Sequence, residues 1–332
     1  VLRQLMPVIQ GLISSREHRV ALTGCLIILG SLSMALVLPL WQLALGPIIF
    51  GTAHILADFR YCVVRPGYHR RWPLVLCCGL PLLAMVAGEG LDVGLMAVAF
   101  AFALARGPVW KRMLGLGGVS LAATAVDQYG FMADVFFAHL HNVVAVLLWW
   151  VWRRRGGRLH WGVLGLYLLT WTALISGALD GIYLSVASSA WAPEGGGLEH
   201  YAGFLGFRQH GMEGVRWVLA FAMAQSVHYW VWLRLVPEDD RSQYTPRSFR
   251  ATWHALRQDM GALFLIVTLI VALGTAIWAL FDLMEAQIGY LRVVRFHGML
   301  ELAAAALIWV EGWGRFGSSG DISRGGSRAM PV

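Results

Sequence analysis

Apolar runs follow one another along nearly the whole chain, each ended by charge, glycine or proline. Ten can be drawn, at 20–38, 41–59, 73–88, 91–105, 113–127, 132–152, 161–185, 211–235, 261–282 and 291–313. Runs of this kind predict helices that cross a bilayer, so the expected fold is all-α: a polytopic transmembrane helical bundle of about ten spans. Several, 73–88 and 113–127 among them, are short for a bilayer that takes about 20 residues, which leaves them less tilted, deeper in the bundle or re-entrant. The weakly apolar opening, 1–19, reads as an interfacial segment, 20–313 as the bundle, and 314–332 as a disordered low-complexity tail. Between runs, 186–210 reads as a cap or a linker, and the polar stretch from Pro237 to Asp259 as interfacial.

Composition agrees with the pattern. Of 332 residues, 58% are hydrophobic and 14% charged, against nearer a quarter charged in soluble domains. The mean hydropathy is +0.62. The net charge of +7 does not imply nucleic acid, because the basic residues lie between apolar runs rather than on a soluble module. With the amino terminus placed in the cytoplasm, 22 of the 26 Lys and Arg fall on the cytoplasmic side. Only Arg208, Arg216, Arg292 and Arg295 fall outside, so both termini are expected to be cytoplasmic. One lysine against 25 arginines suggests a high-GC bacterial source and hence a bacterial inner membrane. Cys25, Cys62, Cys77 and Cys78 form no CxxC pair and support neither a disulfide framework nor a zinc ribbon. Trp149, Trp150 and Trp152, ahead of three arginines, read as an aromatic belt.

Candidate chemistry lies in ionisable residues inside the runs, where burial in lipid is costly and function is the default reading. In LGPIIFGTAHILADFRY, from Leu45 to Tyr61, His54 and Asp58 are four residues apart and share a helix face. His297 and Glu301 repeat that spacing near the end of the chain. FFAHLHNVV carries His139 and His141, about 200° apart on a helix, so only one of the two is expected to face a common site. His228 stands in QSVHYW. Four helices thus offer imidazoles, and two of them add a carboxylate. This is a ligand set expected for non-haem iron, with zinc or copper possible. The expected metal ligands are His54, His139, His141, His228 and His297, with Asp58 and Glu301 as second ligands, orienting partners or bases. A second polar group includes Asp127, Asp134, Asp180 and Glu213 beside the four outer arginines, with Asp282 and Glu285 as partners for Arg292 and Arg295. It reads as interfacial ion pairs, or as an entrance for a polar or anionic head group.

At Gly51-Thr-Ala-His54-Ile-Leu-Ala-Asp58 the chain resembles the bacterial Brp/Blh family of membrane β-carotene cleavage dioxygenases. The resemblance implies an iron bound by histidines from several helices, with His54 a ligand and Asp58 its neighbour. The residue after the first histidine is Ile55 rather than the family's glycine, and Trp232 stands where a later His-x-x-x-His would put its second histidine. No P-loop, GxSxG, HExxH or dinucleotide fingerprint is present.

These features predict a membrane metalloenzyme, a non-haem iron oxidoreductase acting on a lipophilic substrate drawn from membrane lipid. The alternatives are a haem-binding subunit with His141 and His228 as axial ligands, a proton- or ion-translocating subunit, and a structural subunit held by membrane protein partners.

Overall fold

The computed structural model describes residues 14–152, 158–186, 197–241 and 248–312. Most of the expected amino-terminal segment and the whole carboxy-terminal tail lie outside these residues. Among the described residues the chain is all-α, without a strand. The first helix, α1 (Arg16–Val37), is capped by the Ser15 side chain, which accepts from the His18 amide. It ends at Leu38, held off the helical region ahead of Pro39. Next comes α2 (Pro39–Val64), one long helix containing two π-helical stretches, Pro47–Gly51 and Phe59–Val64.

A packed pair follows, α3 (Trp72–Val86) and α4 (Leu91–Leu104), then α5 (Val109–Tyr129) and α6 (Phe131–Trp152). The helix α7 (Leu159–Ile175) turns through 77° into α8 (Asp180–Val186). Gly177 sits at the bend with φ +81, and the Arg216 guanidinium fills the space where its Cβ would stand. After the short α9 (Leu198–Leu205) comes α10 (Gly211–Trp230), which runs on through a π-helical turn to Asp239. The chain finishes with α11 (Phe249–Met260), α12 (Ala262–Phe281), α13 (Leu283–Val294) and α14 (Phe296–Glu311).

The expectation of about ten spans is corrected: among the described residues five helices are long and apolar enough to cross a membrane, or six if the bent α7–α8 pair is one span. The helices long and apolar enough to cross a membrane are α1, α2, α6, α12 and the α13–α14 pair taken together. The described parts of the ten apolar segments are helical, with 161–185 broken at the α7–α8 bend and 291–313 at Arg295. However, α3 and α4 have 15 and 14 residues, roughly 22 Å, which is shorter than a hydrocarbon core of about 30 Å. Lys111, Arg112 and several glycines dilute α5, and Glu213 and Arg216 dilute α10.

The outward surface still marks a membrane protein. Of the twenty residues of α12 only Leu265 is buried, while Leu263, Ile270, Leu280 and Phe281 project from it. On the same helix Thr268 and Thr275 turn their hydroxyls back to the carbonyls of Phe264 and Val271, as suits a helix with no water beside it.

Two apolar cores hold the bundle. One joins α1, α2, α6, α7 and α10 through residues such as Ile28, Leu43, Trp149, Tyr167 and Met223. The other joins α3 and α4 to α14 through Met85, Leu95, Met299 and Leu307. α14 also gives Ala304 to the first core, so it ties the two together. At the arginine-rich end, Arg19 pairs with Glu238, Arg65 with Asp240, Arg60 with Asp259 at 2.7 Å and Arg71 with Glu311 at 2.6 Å. Trp149 is not part of an aromatic belt: it is buried and donates to Asp239 at 2.8 Å. At the other end Arg216 pairs with Asp180 at 2.6 Å. Asp282 pairs with neither Arg292 nor Arg295 among the described residues. It caps α13 instead, accepting from the Glu285 amide at 2.9 Å.

Candidate metal centre

Four histidines from four helices meet between the cores: His54 of α2, His141 of α6, His228 of α10 and His297 of α14. Ring centroids lie 5.0 Å apart for His54 and His297, and 5.2 Å for His54 and His228. His141 is 5.2 Å from both His228 and His297, and those two are 5.8 Å apart. Possible ligand atoms of His54, His228 and His297 all lie within 4.8 Å of one another. Four imidazoles bound near-tetrahedrally to one ion, each with its nitrogen at about 2.1 Å, would have centroids about 5 Å apart. The observed centroid spacing matches such a set, with His54, His228 and His297 also bringing ligand atoms together and His141 contributing its ring beside them.

Local structure produces this convergence. Pro47 has no amide to donate and opens the π-helical stretch before His54. A second such stretch follows Asp58, and a third follows His228. Each π turn shifts the register of the side chains beyond it, a departure often found at functional sites. Glycine supplies close approach. A Cβ on Gly51 would lie 2.2 Å from the Tyr290 hydroxyl, and one on Gly298 would lie 2.9 Å from Phe137 and 3.4 Å from His141. Gly298 therefore lets α14 come up against α6 where His141 and His297 meet. The His297 Nδ1–H donates to the Val294 carbonyl at 2.6 Å, which leaves Nε2 for the site.

Asp58 stands beside His54 as the spacing predicts, whereas Glu301 faces His228 rather than His297, four residues before it. Asp58 Oδ2 is 3.9 Å from His54 Nε2, and Glu301 Oε1 is 3.3 Å from His228 Nε2. Both carboxylates are fully buried, and no lysine or arginine pairs with either among the described residues. Glu301 Oε1 accepts from the Trp232 indole at 2.7 Å. Both oxygens of Asp58, Oε2 of Glu301 and both ring nitrogens of His54 and of His228 have no hydrogen-bond partner. So many orphaned polar atoms at one buried point are costly unless something binds them all. Two buried carboxyl groups facing imidazoles, once ionised, would be balanced by one divalent cation. The residues present therefore fit a metal ion.

His139 stands apart from this group. Its Nε2 bonds the Leu205 carbonyl at 2.9 Å, and its ring packs among Phe207, Trp217 and Phe221. Sequence reasoning gave no role to Trp232, Tyr229 or Tyr290. The Tyr229 ring lies 4.6 Å from that of His54. The available signal was spacing, since Trp232 follows His228 by four residues as Asp58 follows His54. A cavity of about 240 Å³ opens against His54, His141 and His297, with Phe137, Phe221 and Leu291 among its walls and Asp134 and Arg295 also lining it. His228 is fully buried and does not line the cavity, His54 lines it from a buried position, and His141 and His297 are partly buried on the cavity side. No family model, curated protein or solved structure matches this chain.

Proposed function

We propose that the chain is an integral membrane metalloenzyme, a non-haem iron oxidoreductase acting on a lipophilic substrate. The observation that carries this reading is the convergence of four imidazoles and two uncompensated carboxylates, with unpartnered atoms facing one buried point. His54, His141, His228 and His297 would hold the ion. Asp58 and Glu301 would offset its charge and hold or pass a proton at the oxygens facing His54 and His228. Trp232 fixes Glu301 through its indole N–H. The apolar bundle keeps water from the site, and the cavity beside His141 and His297 gives a substrate access to it. Iron bound at such a set supplies the redox chemistry that an unactivated lipophile requires. The likeness of Gly51 to Asp58 to the Brp/Blh motif supports iron over zinc.

Haem is disfavoured by packing: with the rings of His54 and His297 set beside those of His141 and His228, no slot remains for a porphyrin. Elemental analysis and an absorption spectrum of the detergent-purified protein test the proposal. Near-stoichiometric iron without a Soret band is expected. A Soret band would replace the reading with haem-mediated electron transfer, and protein free of metal would overturn it.

A further inference from the structure

The cavity beside the histidines carries a second set of unsatisfied polar groups, distinct from the candidate ligands. Asn142, Gln225 and Tyr290 line it, exposed by 0%, 8% and 6%. Asn142 uses its Nδ2 on the Ala138 carbonyl at 3.0 Å, and its Oδ1 is buried without a donor. The Tyr290 hydroxyl is likewise buried without a partner. The Gln225 amide makes no hydrogen bond among the described residues. The other walls, Phe137, Leu205, Phe221 and Leu291, are apolar. An apolar chamber with a few convergent polar groups is the make-up of a small-molecule site.

We infer that this chamber binds a lipophile through an uncharged oxygen function, a hydroxyl or a carbonyl. The chemistry of the lining selects the class. A hydrocarbon would leave an amide oxygen, an amide and a phenol unpaired in an apolar wall, which is disfavoured. A carboxylate or phosphate would meet only neutral groups at Asn142, Gln225 and Tyr290, while Arg295, on the same lining, is exposed and shares it with the acidic Asp134. A neutral hydroxyl or carbonyl satisfies the set. Position then orients the molecule. Gln225 is three residues before His228 on α10, about 4.5 Å along the axis on nearly the same face. Asn142 directly follows His141. The oxygenated end therefore lies about one turn from the histidines, and the hydrocarbon lies against the apolar walls, among them Phe137, which stacks on His141. The polar end then lies beside the proposed metal, and its catalytic meaning rests on the metal reading above; the binding itself does not.

A matched pair of photoprobes tests this on the full-length protein in lipid nanodiscs: a medium-chain alcohol bearing a diazirine, and the alkane bearing the same diazirine. Labelling is read by mass spectrometry on peptides spanning 134–142, 221–229 and 290–298, and metal is measured on the same sample. The alcohol is expected to label these peptides about tenfold better than the alkane, the equivalent of one buried hydrogen bond. Gln225→Met and Asn142→Leu, each near-isosteric, are expected to remove most of that advantage with metal content unchanged. Equal labelling by both probes would overturn the inference, as would an advantage that survives both substitutions or stronger labelling by the matching carboxylate. Selective labelling of metal-free protein would keep the chamber and remove the metalloenzyme reading. Full metal without selectivity would do the reverse.

Discussion

Trp232 is fully buried and gives its only hydrogen-bond donor to Glu301. Trp232→Phe keeps most of the ring and removes the donor, leaving a buried carboxylate oxygen unserved at a cost of about 1–3 kcal/mol. Metal affinity is expected to fall about tenfold, measured by chelator competition, with helical content unchanged by circular dichroism. The paired histidines give a sharper comparison. His141→Ala removes a ring that faces His228 and His297, and most of the metal is expected to go with it. His139→Ala breaks a bond to Leu205 and a contact among aromatic rings, so metal content is expected to stay near that of the unaltered protein while thermal stability drops. Elemental analysis of the two variants side by side checks this. The helix period told that His139 and His141 face different ways, but which of them faces inward depends on how α6 is rotated against α10 and α14, and local sequence does not encode that rotation. Asn142, Gln225 and Tyr290 escaped notice for a related reason: a lone amide or phenol in an apolar run is informative only once its neighbours are known.

Glycine sets the closeness of the helices around the site, and two positions separate close packing from mere propensity. At Gly51 an added Cβ would meet the hydroxyl, Cζ and Cε1 of Tyr290 between 2.2 and 2.7 Å, so the whole ring would have to move. Gly51→Ala is expected to cost about 1–3 kcal/mol as overpacking and to lower metal occupancy, because His54 lies on the next turn. Gly30, on α1, has open space around it, and Gly30→Ala is expected to be neutral or to stabilise by up to about 1 kcal/mol through helix propensity. Thermal unfolding in detergent distinguishes the two. The apolar runs located most of the long helices and their order, but 291–313 merged the end of α13 with α14 and 161–185 ran across the α7–α8 bend, because hydrophobic length alone does not mark a break. The number of spans was overread, because apolar runs of 14 or 15 residues, such as α3 and α4 packed against α14, fall short of the length a bilayer crossing takes. The π-helical stretches left no composition signal beyond Pro47.

The whole molecule puts its costliest groups in the middle and its cheapest on the outside. α12 shows almost every side chain to the surroundings, so Ile270→Arg tests what those surroundings are. In lipid the change is expected to cost about 2.5–3.5 kcal/mol and to reduce the membrane-inserted fraction seen after carbonate extraction, whereas Ile270→Leu is expected to be silent. The four histidine helices α2, α6, α10 and α14 are spread over nearly the entire chain, with His54 near its beginning and His297 near its end. That spacing has a consequence for biosynthesis. His54 and Asp58 leave the ribosome long before the last ligand exists, and no early fragment contains more than part of the set. On the proposed reading the full ligand set is therefore complete only when the final helix pair docks, and until then the nascent chain carries an incomplete polar site.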